Sequence, residues 1–310
     1  MLTGLLFQVF RVWVLSSQCG VISNDQERYL EQTFVNISGC FFSKINEFNG
    51  PGGAIYINNG NSMYISYTAF SNLHSTSTGG AIFYESSISV LKMVCAYKCS
   101  SPYCHFGYIH ASSINYIEYL SMALCSEFQT GVHPLLFYSG DQKLFSTNSS
   151  LNAAHQSSGI DIDSPSSLST FLYCTFSNNK AADSICIHLY GNSATLSYFN
   201  IVHNNSPIKL GVIFVGAGSY TLSYCIISHN QDNLLYGSID IFHSFISHLG
   251  ITSNTNNNSL VMKSTYQFKF YNTISCHANN PFITPQQYIT YGRFPSSRSV
   301  SLIIVSILAL

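Results

Sequence analysis

The sequence predicts an all-β protein, a right-handed parallel β-helix of about ten coils with 25 to 27 residues in most of them. Three observations predict it. Gly52-Gly53-Ala54-Ile55 returns as Gly79-Gly80-Ala81-Ile82, a period of 79 − 52 = 27 residues. Between them stands Tyr67-Thr68-Ala69-Phe70-Ser71-Asn72, and a similar phrase returns as Cys174-Thr175-Phe176-Ser177-Asn178-Asn179. Charged residues make up only 8% of the 310, while β-branched and aromatic residues alternate with Asn, Ser and Gly, the pattern of many short strands and many turns.

The two phrases act as rulers. The GGAI-like position recurs at Ile55, Ile82, Ile109, Leu136, Asp161, Cys186, Ile213, Ile239 and Val261. The FxxN-like position recurs at Phe42, Phe70, Tyr97, Leu124, Leu151, Phe176, Val202, Ile227, Ile251 and Ile274. A unit this short cannot bury its own apolar side, so neighbouring units must stack to make a core. At about 4.8 Å per coil the rod would be roughly 45 to 50 Å long. A β-propeller needs a period of roughly 40 to 45 residues and does not fit. Ile55, Ile82, Ile109 and Ile213 are expected in one inward column, with Gly and Asn at the left-handed bends. Asn179, Asn205 and Asn230 are candidates for a ladder of side-chain amides.

Taken in order, residues 1–20 form an apolar N-terminal segment that reads either as a secretory leader or as a first capping strand. Residues 21–283 carry the β-helix, with 21–33 as a charged cap ahead of a first coil near Phe34 to Phe42. Residues 284–310 form a tail off the rod. Its last stretch, Val300 to Leu310, is apolar and too short to span a bilayer, yet long enough for membrane association.

GGAI paired with FxxN once per coil resembles the repeat of chlamydial-type polymorphic outer-membrane proteins and similar repeats in protist surface proteins. The resemblance is good at Gly52–Ile55, Gly79–Ile82 and Phe176–Asn179 and degenerate elsewhere. It implies an exported, displayed and often adhesive right-handed β-helix. No C-terminal region large enough for an outer-membrane barrel follows, which disfavours the bacterial autotransporter version.

Of ten cysteines, Cys40, Cys95, Cys174 and Cys225 each precede the second ruler by two residues and are expected in one column as buried small hydrophobes. Cys95, Cys99 and Cys104 with His105 offer a weak metal set of non-standard spacing, and Cys99–Cys104 a loop disulfide. For catalysis the best acidic cluster is Asp161 and Asp163, on one side of a strand, with Asp163 beside His188 on the next coil. Against that stands a reading of two solvated carboxylates. Asp240 with His243 is a weaker pair of the same kind. Tyr56, Phe83 and Phe137 stack either in the core or outward, where they could hold sugar rings. Asn36, Asn148, Asn204 and Asn257 open N-glycosylation sequons, which matter only in a secretory compartment.

The net charge of −1 gives no steering toward nucleic acid, and no cofactor motif is present. The expectation is a non-enzymatic surface or secreted β-helix, adhesive or coat-forming, with a protein or glycan partner on another cell or matrix. The alternative is a pectate-lyase-like, glycan-active enzyme using Asp161 and Asp163.

Overall fold

The structure, a computed structural model, describes residues 17–18, 21–22, 34–45, 50–58, 62–126, 131–182, 185–206, 211–231 and 235–246. Every paired strand among them is parallel and joins the turn before to the turn after, so the chain winds as a β-solenoid without helices. The described residues make about seven turns, against about ten expected for the chain. The ruler positions beyond Ile246, the tail 284–310 with Val300 to Leu310, and most of the expected cap lie outside the described residues.

Each turn carries three strands. The first face includes Ile55–Asn58, His133–Tyr138, Ser157–Asp163, Ile185–Tyr190 and Ile213–Val215. The second includes Phe34–Ser38, Asp141–Phe145, Thr170–Leu172, Ala194–Ser197 and Tyr220–Ser223. The third includes Phe41–Ser43, Asn148–Ser150, Thr175–Ser177, Asn200–Val202 and Ile226–Ser228. Ile82–Tyr97 and Cys104–Ala123 run through all three faces of their turns. Ser17 pairs with Ile37 and Val21 with Phe41, which sets the first rung upstream of the start expected near Phe34.

The paired glycines follow from backbone approach. Gly79 has φ +72°, and a Cβ there would collide with the Ile82 carbonyl oxygen. A Cβ on Gly80 would run into the carbonyl oxygens of His105 and Ser100 on the next turn. Thus the first glycine makes the bend and the second lets two turns close on each other. Gly140, Gly191 and Gly218, with Asn72 and Asn178, meet the expectation of Gly and Asn at other bends, but the corner between the second and third faces departs from it. Between the second and third faces the left-handed residue is Tyr67, Tyr119, Tyr173, Tyr198 or Tyr224 in most turns. That conformation costs a non-glycine residue roughly 1 to 2 kcal/mol. Stacking of Tyr173, Tyr198, Tyr224 and His243 at 4.9, 5.2 and 5.2 Å offsets it, since an aromatic pair contributes roughly 0.5 to 1.5 kcal/mol.

Register corrects several sequence expectations. Ile55, Ile82 and Ile213 keep one inward row, but Gly107 takes the slot expected for Ile109. Ile109 packs one pleat further on, between Tyr84 and Phe137, and is fully buried. The step from Ile82 to Gly107 is 25 residues, two short of the ruler's 27, and that makes the slip. Ile239 belongs to the second face, opposite Tyr220. On the second ruler Phe42, Phe70, Phe176 and Ile227 hold the position. Ala96, Met122, Ser149 and Ile201 hold it elsewhere, in place of Tyr97, Leu124, Leu151 and Val202.

Three residues beyond that ruler lies an inner corner column: Ile45, Leu73, Cys99, Cys125, Asn152, Asn179, Asn204 and Asn230. Backbone bonds fix the equivalence, since Leu73, Cys99 and Cys125 each accept from the residue after their counterpart on the next turn. The asparagines form the amide ladder, with Asn204 in the place expected for Asn205. Asn204 Oδ1 accepts from the Asn179 backbone N–H at 3.0 Å and from Asn179 Nδ2 at 3.1 Å. Its Nδ2 donates to the Phe176 carbonyl at 2.9 Å and to Asn230 Oδ1 at 3.0 Å.

Candidate functional site

The candidate site is built around Asp161, on the outward side of Ser157–Asp163. Alternation does put Asp161 and Asp163 on the side opposite the buried Ile160 and Ile162. The cross-turn partners differ from expectation. Asp161, not Asp163, pairs with His188, and Asp163 pairs with Tyr190, because the step between these turns is 188 − 161 = 27 residues rather than 25.

Both oxygens of Asp161 lie 3.0 Å from His188 Nδ1, and Oδ2 lies 3.2 Å from His133 Nδ1 on the preceding turn. The His133 nitrogen is close enough for an ionic contact but is not aligned for a hydrogen bond. The Asp161 side chain is 6% exposed, that of His133 5% and that of His188 24%. This overturns the reading of two solvated carboxylates. Tyr103 meets the His133 ring edge-on at 5.5 Å, and Phe214 stacks on His188 at 5.5 Å.

The two imidazoles respond oppositely to one carboxylate. Burial pulls the His188 pKa down, but the hydrogen bond to Asp161 and the charges of Asp161 and Asp163 outweigh it and hold the pKa above its ordinary value. For His133 burial dominates and lowers the pKa; the Asp161 charge opposes it and His188 adds to it. Burial raises the Asp163 pKa, helped by the Asp161 charge and opposed by the hydrogen bond from Ser164 Oγ and by His188. Asp161 is therefore an ion-pair partner and orienter rather than a free carboxylate. With Nδ1 turned to Asp161, the other ring nitrogen of His188, Nε2, lies close to Gly216.

The row that holds Asp161 is otherwise largely aromatic. Tyr56, Phe83 and Tyr108 stack at 5.2 and 4.9 Å on one side; His188, Phe214 and Tyr236 stack at 5.5 and 5.0 Å on the other. Phe137 is in the core instead. Stacked rings cover one another's faces and turn their edges outward, so a sugar could lie flat only on the ring at the end of a stack.

The other candidates do not assemble. Cys99 faces the inner corner, Cys95 lies one residue off the column of Cys40, Cys174 and Cys225, and Cys104 begins a first-face strand. Cys99 and Cys104 are free thiols, so no Cys99–Cys104 disulfide is present. Among the described residues no group of three His, Cys, Asp or Glu could hold a metal. His105 accepts from the Ser101 backbone N–H at 3.3 Å, and its Nε2 is buried without a partner. Burial first, then the charge of His133, lowers its pKa to about 4 against the Ser101 hydrogen bond. Cys40 is disulfide-bonded, to none of the other cysteines in its column. Asp240 lies opposite Thr221, and His243 joins the tyrosine stack. Asn36 and Asn148 are half-buried, Asn204 is buried in the ladder and closed to modification in the folded chain, and Asn257 lies outside the described residues.

Sequence reasoning missed His133, because only a register carried across a bulge reveals it. It also missed a shallow cavity of about 340 Å³ on the second face. Hydroxyls of Ser169, Thr170, Thr195, Ser197, Ser219 and Thr221 line it, and no charged residue does. Fold and site together define a parallel β-solenoid with one buried His–Asp–His cluster on an aromatic outer row. Comparison with family models, curated proteins and solved structures finds no match to this chain.

Proposed function

We propose that this chain is a non-enzymatic, secreted or surface-displayed β-helix that presents its outer faces to a protein or glycan partner or forms a coat. The observation that carries the reading is the burial of Asp161. Glycan hydrolysis needs two available carboxylates flanking a bond. Here Asp161 is closed off by two histidines, and of the pair Asp163 alone is half-exposed. The uncharged hydroxyl recess on the second face suits contact with a neutral partner better than bond cleavage. The likeness to polymorphic outer-membrane proteins remains part of this proposal and rests on the motifs alone. Gly79 and Gly80 have a packing reason to recur, so the motif speaks for the fold before it speaks for descent. A glycan-active enzyme is the second reading, favoured only by the Asp161–His188 contact on a ring-lined row.

Two measurements test the proposal. Antibody labelling of intact, unpermeabilised cells should give surface signal, or the protein should appear in the medium; label seen only after permeabilisation would overturn display. A screen of neutral and acidic polysaccharides should show no turnover. Cleavage that disappears in Asp161→Asn/Asp163→Asn would establish the enzyme instead.

A further inference from the structure

The inner corner column changes chemistry along the rod, from Ile45 and Leu73 through Cys99 and Cys125 to the asparagine ladder. The thiol pair is the part of this column without an assigned role. Cys99 and Cys125 occupy the same position on successive turns: Ser126 N–H donates to the Cys99 carbonyl at 3.0 Å, as Ser100 N–H does to Leu73 at 2.9 Å. Equivalent residues one turn apart have Cα atoms about 4.8 Å apart. That falls inside the roughly 4.4 to 6.8 Å window of disulfides. Both side chains are fully buried, both point into the same corner, and the two sulfurs lie within hydrogen-bonding reach of each other.

No other pair of free thiols shares this placement. Cys174 and Cys225 hold one column with Phe199 between them, two rungs or about 9.6 Å apart. Cys95 sits on the outer side of the third face, in register with Ala69 and Ser121. Cys104 and Cys186 belong to the first face, two turns or more apart.

We propose that Cys99 and Cys125 form a disulfide between successive turns when the chain folds in the presence of a disulfide oxidant. With glutathione disulfide the chemistry balances. One cysteine thiolate attacks a glutathione sulfur, which forms a mixed disulfide and releases one glutathione. The second thiolate attacks the cysteine sulfur of that mixed disulfide and releases the other. Two thiols lose two electrons, one glutathione disulfide gains them, and the two protons end on the two glutathione thiols. The corner has no room for bound glutathione once the turns have closed, so the step belongs to folding. The finished bond is then shielded from reductants. It ties together two turns that are otherwise joined by backbone hydrogen bonds and side-chain packing.

The test is refolding of the reduced, denatured full chain with reduced and oxidised glutathione, trapping with N-ethylmaleimide and chymotryptic digestion without reductant. Cleavage at Tyr103 and Leu124 places Cys99, Cys104 and Cys125 on separate peptides. The expected result is a Cys99–Cys125 linked peptide, with Cys104, Cys174, Cys186 and Cys225 alkylated. The oxidised chain should also melt several degrees above the reduced one. Cys95→Ala should keep that shift and Cys125→Ala should lose it. Alkylation of both Cys99 and Cys125, or a Cys99–Cys104 link, overturns the proposal. The mass measurement on the parent decides the matter even if Cys125→Ala does not fold. Failure of surface labelling would leave this result untouched.

Discussion

Replacing Asn204 by Ala should be among the most destabilising surface-neutral changes in the chain. Asn204 makes four side-chain hydrogen bonds: two accepted from Asn179 and one donated to each of Phe176 and Asn230. Two of the partners keep other bonds. Asn179 Nδ2 still reaches the Ser149 carbonyl at 2.8 Å, and Asn230 Oδ1 still accepts from the Asn204 backbone N–H at 2.9 Å. The Asn179 backbone N–H loses its acceptor and the Phe176 carbonyl loses this donor, both away from water. Each orphaned buried group costs roughly 1 to 3 kcal/mol. With a small cavity term the expected loss is about 3 to 5 kcal/mol. Asn205→Ala, one residue along and outside the ladder, should cost less than about 1 kcal/mol. Urea unfolding followed by circular dichroism measures both. Equal effects, or a loss below about 1 kcal/mol for Asn204→Ala, would refute the ladder as a stabilising element. Asn204→Asp separates shape from chemistry: it keeps the acceptors, loses both donated bonds and buries a charge, so it should be at least as harmful as Ala.

Three further outcomes are expected. Ile109→Asp places an unpaired carboxylate between Tyr84 and Phe137 at a fully buried position and should cost about 3 to 5 kcal/mol; a parent-like melt would show the register to be wrong. His105 has a folded pKa of about 4 against about 6.5 unfolded, so the unfolded chain binds the proton first and stability falls as pH drops from about 6.5 to about 4. The 2.5-unit gap corresponds to about 3 kcal/mol, and His105→Gln should flatten that limb of the stability curve; an unchanged slope would remove His105 as its cause. Asp161→Asn removes what holds the His188 pKa up, so an NMR titration should find it below its ordinary value, and an unshifted His188 would sink the ion-pair assignment. Because the parent His188 pKa is raised, the stability from this pair is present below the unfolded pKa and lost as pH rises through the folded one, so the variant should lose more stability at acid than at alkaline pH.

The period was legible because two demands repeat once per turn. Gly79 and Gly80 answer a backbone collision that any side chain would create, and Phe70 and Phe176 answer a core slot. Register was less legible, because turns differ in length at their corners. Where a turn is short, as between Ile82 and Gly107, a ruler made of residue types follows the nearest isoleucine and not the true partner. Ile109 was displaced by one pleat in this way and remained inward, since a two-residue slip preserves the side. A one-residue slip, as at Val202 for Ile201, turns the side chain over. The residue ruler therefore points to Asn205 where the ladder uses Asn204, and the buried amide of the ladder is also the first residue of a sequon.

The site shows the same limit with more consequence. Asp161 and Asp163 were legible as one side of a strand, because alternation needs no partner. Their environment was not, because it depends on which residues the neighbouring turns bring alongside. The step between these turns is 27 residues where the ruler expects 25, which exchanges Cys186 for His188 beside Asp161, and His133 of the preceding turn reaches the same carboxylate. A strand pattern alone therefore suggests a wet carboxylate pair, whereas the winding produces a dry ion pair. The corners carry the converse lesson. A left-handed bend read one residue at a time calls for Gly or Asn. In a solenoid the same bend recurs every turn, so side chains at the corner sit about 5 Å from their copies and can stack. Tyr173, Tyr198, Tyr224 and His243 use that spacing, and His203 and His229 repeat it at the next corner at 5.0 Å. The strain at each corner is local, the stacking that offsets it runs along the rod, and a single coil would have the first without the second.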